Sequence, residues 1–157
     1  MSASMSDAGS WTKLTPRSVH SGANLAAVLS LIAPTLSPPI AIASLFMSVP
    51  CVDNSLTASS PGYAANPHAP WLPPAKIAWY KKHYLPNESD WKDWRASPIY
   101  ASDEALSKLP PCFVGVAELD VLAQEGRDWS EKLKSLGVAV EFKEYKGVGH
   151  EILRLDG

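Results

Sequence analysis

The sequence predicts an α/β fold, a layered sandwich around a mostly parallel sheet. Three observations predict it. Two apolar runs, residues 40–49 and Cys112–Ala117, have the unbroken hydrophobicity of strands covered on both faces. Residues 24–32, 75–84 and 123–136 show helical spacing and lie between or after those runs. Strands interleaved with helices in this order form parallel sheets with helical crossovers.

In the first helix, Leu25, Val28, Leu29 and Ile32 fall on one stripe, and Pro34 ends it. The run 40–49 is bounded by Pro39 and Pro50 and reads as one buried strand. Residues 53–74, rich in Ser, Pro, Asn and Ala, form a long loop. The helix 75–84 carries Ile77, Trp79, Tyr80 and Tyr84, with Pro86 beyond it, and residues 91–100 make short turns. The helix 123–136 is amphipathic, with Trp129, Leu133 and Leu136 inward, Lys132 and Lys134 outward, and Gly137 as its stop. Residues 138–145 alternate apolar and polar, as an edge-side strand does.

Composition narrows the function. The 157 residues fit one domain or part of a larger one. A net charge of −2 lacks the basic surplus of a nucleic-acid binder. Two cysteines are too few for a disulfide scaffold or a four-ligand zinc site. Residues 18–52 contain no Asp, Glu, Lys or Arg, yet Pro34, Pro38 and Pro39 cut them. Neither half reaches the roughly 20 residues of a membrane span, so no membrane partner is expected. Residues 1–17 have no apolar run and read as a disordered tail rather than a signal peptide, which makes the cytoplasm the default location.

Parallel sheets gather functional groups just beyond the C-terminal ends of their strands. Asp120 follows the strand Cys112–Ala117, and His150 follows residues 138–145 after the turn Lys146-Gly147-Val148-Gly149. An Asp that holds a His in one tautomer turns it into a general base; the plainer alternative is a helix-capping Asp and a surface His. A nucleophile would sit at a strand-to-helix turn, where a helix N-terminus can stabilise an oxyanion. Ser21, in Val19-His20-Ser21-Gly22-Ala23-Asn24-Leu25, offers the hydroxyl, with helix N-cap as its simpler role.

This stretch resembles the G-x-S-A-G-G/A-N-L-A-A elbow of hormone-sensitive-lipase-like esterases, within the α/β-hydrolase superfamily. Ala96-Ser97-Pro98, Leu109-Pro110-Pro111, Glu118-Leu119-Asp120-Val121-Leu122, Glu125-Gly126 and Tyr145-x-Gly147-x-x-His150 follow in the family's order. Residues 69–88 look most like fungal members, including esterases of secondary-metabolite clusters. The resemblance implies a partial α/β-hydrolase sandwich over residues 18–157, without the family's N-terminal strands, in an N-terminally truncated member. It implies hydrolysis of a small-molecule carboxylic ester, with Ser21 attacking, Asp120 and His150 completing the triad, Gly22 as oxyanion donor, and no cofactor or metal. The family's HGGG oxyanion loop does not occur in these 157 residues. An ungapped match on Asn24-Leu25-Ala26-Ala27 puts His20 at the nucleophile position, and Ser21 fits only across a one-residue deletion. The alternative is therefore a catalytically inactive remnant or a binding subunit. With strands missing, an exposed edge at residues 40–49 would favour an oligomer.

Other candidates read more plainly. His68, His83, Asp53 and Asp90 complete no metal cluster, and Gly147-Val148-Gly149 is a turn rather than a nucleotide fingerprint. Lys81 and Lys82 read as a solvated basic spot. Trp71, Trp79, Tyr80, Tyr84, Trp91 and Trp94 would either line a substrate pocket or pack a small cap, with packing the preferred reading.

Overall fold

The computed structural model describes residues 13–14 and 17–151, with side chains from His20 onward. Most of the expected tail lies outside the described residues. In chain order the elements are β1 (Lys13–Leu14), β2 (Arg17–Val19), α1 (Ser21–Ile32), β3 (Ala41–Ile42), β4 (Leu45–Ser48), α2 (Pro61–Ala65), α3 (Pro74–Tyr84), α4 (Asp103–Leu106), β5 (Cys112–Ala117), α5 (Ala123–Ser135) and β6 (Val140–Tyr145). The main sheet has the order β2-β4-β5-β6 and is parallel throughout, while β1 and β3 form a separate parallel pair. The α/β expectation is met.

One face of the main sheet carries the core. Register aligns Leu45 with Cys112 and Met47 with Val114, and these residues pack with Ala23, Ala26 and Ala27 of α1 and Trp129 and Leu133 of α5. Helix α5 ends where Gly137 was expected to stop it. Gly137 takes φ +84°, its N–H donates to the Lys134 carbonyl, and Val138 N–H donates to Leu133. Near its other end α5 lies close on β5: a Cβ at Gly126 would stand 2.5 Å from Val116 Cγ1. Gly126→Ala is therefore expected to destabilise the domain by about 1–3 kcal/mol in a urea melt.

Four expectations need correction. The buried residues of α1 are Ala23, Asn24, Ala26, Ala27, Val28 and Ser30, so Val28 of the expected stripe is buried, whereas Leu25 and Leu29 are 55% and 58% exposed. Small residues let the helix axis approach the sheet, which bulky leucines would prevent. Residues 40–49 are not one strand, because exposed Ala43 and half-buried Ser44 separate β3 from β4. Nor does β4 present an edge. It is paired by β2 on one side and β5 on the other. Lys81 is not solvated either: its Nζ donates to the carbonyls of Asn54 and Leu56 and lies 3.8 Å over the Trp91 ring.

Candidate active site

Strand β2 feeds directly into α1 through a single residue, His20. Its backbone takes φ 57° and ψ −126°, a region that an L residue occupies only when its surroundings impose it. Those surroundings are visible. The His20 N–H donates to Ser48 at the end of β4, and its carbonyl accepts from Ala23 and Asn24 in the first turn of α1. Four residues on, buried Asn24 donates through Nδ2 to the carbonyls of Cys51 and Ala96, tying α1 to the loop beyond β4. The result is a sharp strand-to-helix elbow with the side chain of residue 20 at its apex.

The Asp–His part of the expected constellation is present. Asp120 Oδ2 and His150 Nδ1 lie 2.6 Å apart, with both side chains at most 2% exposed. Asp120 Oδ1 accepts from Leu122 N–H at 3.1 Å, and Asn66 Nδ2 donates to the Asp120 carbonyl. The carboxylate is thus fixed from both sides. The turn carrying His150 is sewn to the turn carrying Asp120: Glu118 accepts from Gly147 N–H and Lys146 Nζ, and Leu119 N–H donates to the Val148 carbonyl. One of the three links, Leu119 N–H to Val148, is a backbone bond that needs no charge, whereas the Glu118–Lys146 ion pair is exposed and weakened by water.

The third group is His20. Its Nδ1 meets His150 Nε2 directly, with the rings edge to face at an interplanar angle of 84°. Ser21, the expected nucleophile, is the first residue of α1 and exposed; both ring nitrogens of His150 are engaged elsewhere, by Asp120 and His20. The ungapped register of the elbow is the one the fold adopts. The residue following the apex is accordingly Ser21, one position before Gly22, the expected oxyanion donor. Both N–H groups stand in the first turn of α1, where no intrahelical acceptor is available. The tautomers follow from the chain of contacts. With His150 Nδ1–H donated to Asp120, His150 Nε2 is an acceptor, so His20 Nδ1 carries the proton between the rings and Nε2 of His20 bears the lone pair.

The described residues 20–151 lie wholly within residues 20–154, which match the family model for the alpha/beta hydrolase fold. The chain belongs to the alpha/beta hydrolase family. An alpha/beta hydrolase superfamily protein of Schizosaccharomyces pombe is 37% identical over 139 residues, covering 86% of this chain and 40% of that relative. Carboxylesterase NlhH of Mycobacterium tuberculosis is 32% identical over 123 residues, 76% of this chain and 37% of that enzyme. The crystal structure of carboxyl esterase 2 from the mycorrhizal fungus Tuber melanosporum superposes with a TM-score of 0.83 at 25% identity, covering 92% of this chain and 46% of that one. This alpha/beta hydrolase chain thus spans about 40% of the length of the relatives it matches. Among the described residues no group of three or more His, Cys, Asp or Glu side chains could hold a metal, and no helix is long and apolar enough to cross a membrane.

Glu125 is a residue whose place the sequence pattern marked without assigning it work. It is 1% exposed, and its Oε2 accepts from Val52 N–H at 2.6 Å and Asp53 N–H at 2.9 Å. That clamps the loop beyond β4, the same loop that Asn24 holds. Burial pushes the Glu125 carboxyl up to about 8, against the lowering effect of the two backbone bonds. A carboxyl whose folded value is raised binds protons more tightly when folded. Its stabilising share is whole below the ordinary value of 4.5 and is lost as pH climbs to about 8. The wild type should therefore lose up to about 1.4 kcal/mol per pH unit across that window. Glu125→Gln should lack this slope in chemical melts run from pH 5 to 8.5. A constant offset from burying the new amide N–H would leave the comparison of slopes intact.

Proposed function

We propose that the protein hydrolyses small carboxylic esters through an Asp120–His150–His20 chain, with His20 in the place where Ser21 was expected. The observation that carries this reading is His20 at the apex of the elbow with its Nδ1 on His150 Nε2. Imidazole is a competent nucleophile toward esters. Nε2 of His20 attacks the carbonyl carbon, and the N–H groups of Ser21 and Gly22 face the developing oxyanion. As positive charge builds on the His20 ring, its Nδ1 proton passes to His150, whose imidazolium the Asp120 carboxylate stabilises. The alcohol leaves with a proton, and water then cleaves the acyl-imidazole to release the acid and restore His20.

The Mycobacterium tuberculosis relative, a carboxylesterase, supports this substrate class. The likeness of residues 69–88 to fungal esterases of secondary-metabolite clusters supports a natural-product ester as the substrate. A second reading is favoured by one observation, the imidazole at a position where the resembling family carries serine. On that reading the domain is a binding member that no longer turns over esters. Short p-nitrophenyl esters separate the two. Turnover by the wild type that disappears in His150→Ala supports hydrolysis; equal rates in both proteins would refute it.

A further inference from the structure

The aromatic residues of α3 do not pack as expected, since Trp79, Tyr80 and Tyr84 are each half or more exposed. Buried contacts gather instead on residues 49–53, the loop that leaves β4. It begins with a strained residue. Val49 takes φ 43°, where a β-branched side chain is a genuine outlier. It is buried, and its N–H donates to the Gly115 carbonyl of β5 at 2.7 Å. Ser48, just before it, accepts the His20 N–H. His20 and Val49, both at positive φ, thus end the neighbouring strands β2 and β4 and are tied through one carbonyl.

Three further anchors hold the rest of this loop. Asn24 Nδ2 donates to the Cys51 carbonyl, and Ile99 N–H donates to the Val52 carbonyl at 3.3 Å. The third is Glu125, whose Oε2 accepts from both Val52 N–H and Asp53 N–H. Glu125 stands on α5, five residues after Asp120. A path of hydrogen bonds therefore runs from the helix behind the acid to the apex of the elbow. It passes from Glu125 to the loop, from Cys51 to Asn24, and from the Asn24 N–H to the His20 carbonyl.

Stability alone does not account for a carboxyl at this place. Burying it is costly, and its Oε1 is buried with no hydrogen-bond partner among the described residues. What it supplies is geometry, because one oxygen fixes two adjacent N–H groups. We propose that Glu125 is a positioning residue for the reaction, holding residues 49–53 so that the His20 ring meets His150 Nε2. This role rests on the Asp120–His150–His20 reading and adds the residue that keeps its last two members in contact.

Proton NMR of the 157-residue chain reads that contact without catalysis. Two downfield ring N–H resonances are expected, one from His150 to Asp120 and one from His20 to His150; His20→Ala assigns the second. Glu125→Met leaves the Val52 and Asp53 N–H groups without their acceptor. It should lose the inter-ring resonance and keep the Asp120–His150 one. Its kcat for p-nitrophenyl acetate should fall about 10- to 100-fold with KM within about twofold. Glu125→Gln, whose amide oxygen accepts the same two N–H groups, should restore the resonance and most of kcat. Glu125→Asp draws the acceptor back by one carbon and should show the same selective loss, which covers the case in which Glu125→Met does not fold by circular dichroism. Absence of the inter-ring resonance from the wild type would overturn the proposal, as would its persistence in whichever of these two variants folds. Loss of both resonances together would overturn it too, by making Glu125 a general support of the fold. The selective loss in a chain that hydrolyses no ester would support the positioning of His20 and count against the hydrolytic reading alone.

Discussion

Asp120→Asn is expected to lower ester hydrolysis by about 1,000- to 10,000-fold while leaving the fold intact. The local geometry dictates the direction. Asp120 Oδ1 already accepts from Leu122 N–H, so an asparagine keeps its carbonyl oxygen there and turns its NH2 toward His150 Nδ1. An N–H now faces that nitrogen, and His150 must carry its own proton on Nε2. It then meets His20 Nδ1 as a donor rather than an acceptor, and can no longer take the His20 proton as acylation proceeds. The shape of the site is preserved and only the proton is misplaced. Kinetics with p-nitrophenyl acetate measure the loss, and a thermal melt close to the wild type's shows that unfolding is not its cause. Full activity in Asp120→Asn would show that His150 does not work through this carboxylate.

The second large effect runs in the opposite direction. His20→Ser places a hydroxyl at the apex of the elbow, one bond nearer the backbone than the imidazole nitrogen it replaces. Because His20 Nδ1 meets His150 Nε2 directly, an oxygen slightly further back falls within hydrogen-bond reach of the same base. A serine activated by a fixed His–Asp pair is a better acyl acceptor and shuttle than a neutral imidazole. His20→Ser should raise turnover about 10- to 100-fold and become labelled by a fluorophosphonate, which the wild type resists. The positive φ at residue 20 is held by the bonds to Ser48, Ala23 and Asn24, none of which involves the imidazole. A His20→Ser protein that is folded, unlabelled and no faster would show that the elbow does not present residue 20 to His150 in solution.

Much of this arrangement was legible in the residues. The strands Cys112–Ala117 and Val140–Tyr145 and the helix Ala123–Ser135 stand where apolar runs, alternation and amphipathic spacing put them, because each pattern has one consistent structural reading. Asp120 and His150 were found by the rule that strand ends carry function, and their 2.6 Å contact supports it. Misreadings arose where two patterns competed. In α1 both the expected Leu25–Val28–Leu29–Ile32 stripe, of which Val28 is buried, and the Ala23–Ala26–Ala27–Ser30 stripe have helical period. Hydropathy ranks leucine above alanine, yet close packing on the sheet selects the smaller residues. In the run 40–49, uniform hydrophobicity hides the break between β3 and β4. The elbow was ambiguous by one residue, and chemical familiarity favoured the hydroxyl of Ser21. The ungapped match already pointed to His20, and the backbone path from β2 into α1 has His20 at the apex. Glu125 and Asn24 were unreadable as clamps, since their partners are backbone groups 72, 73 and 27 residues away.

Steady-state hydrolysis of p-nitrophenyl acetate by a matched pair of variants tests the central assignment most directly. Ser21→Ala should keep the wild-type rate within about twofold, and His20→Ala should lose about 100-fold or more. The reverse pattern, with activity lost at residue 21 and retained at residue 20, would contradict the account.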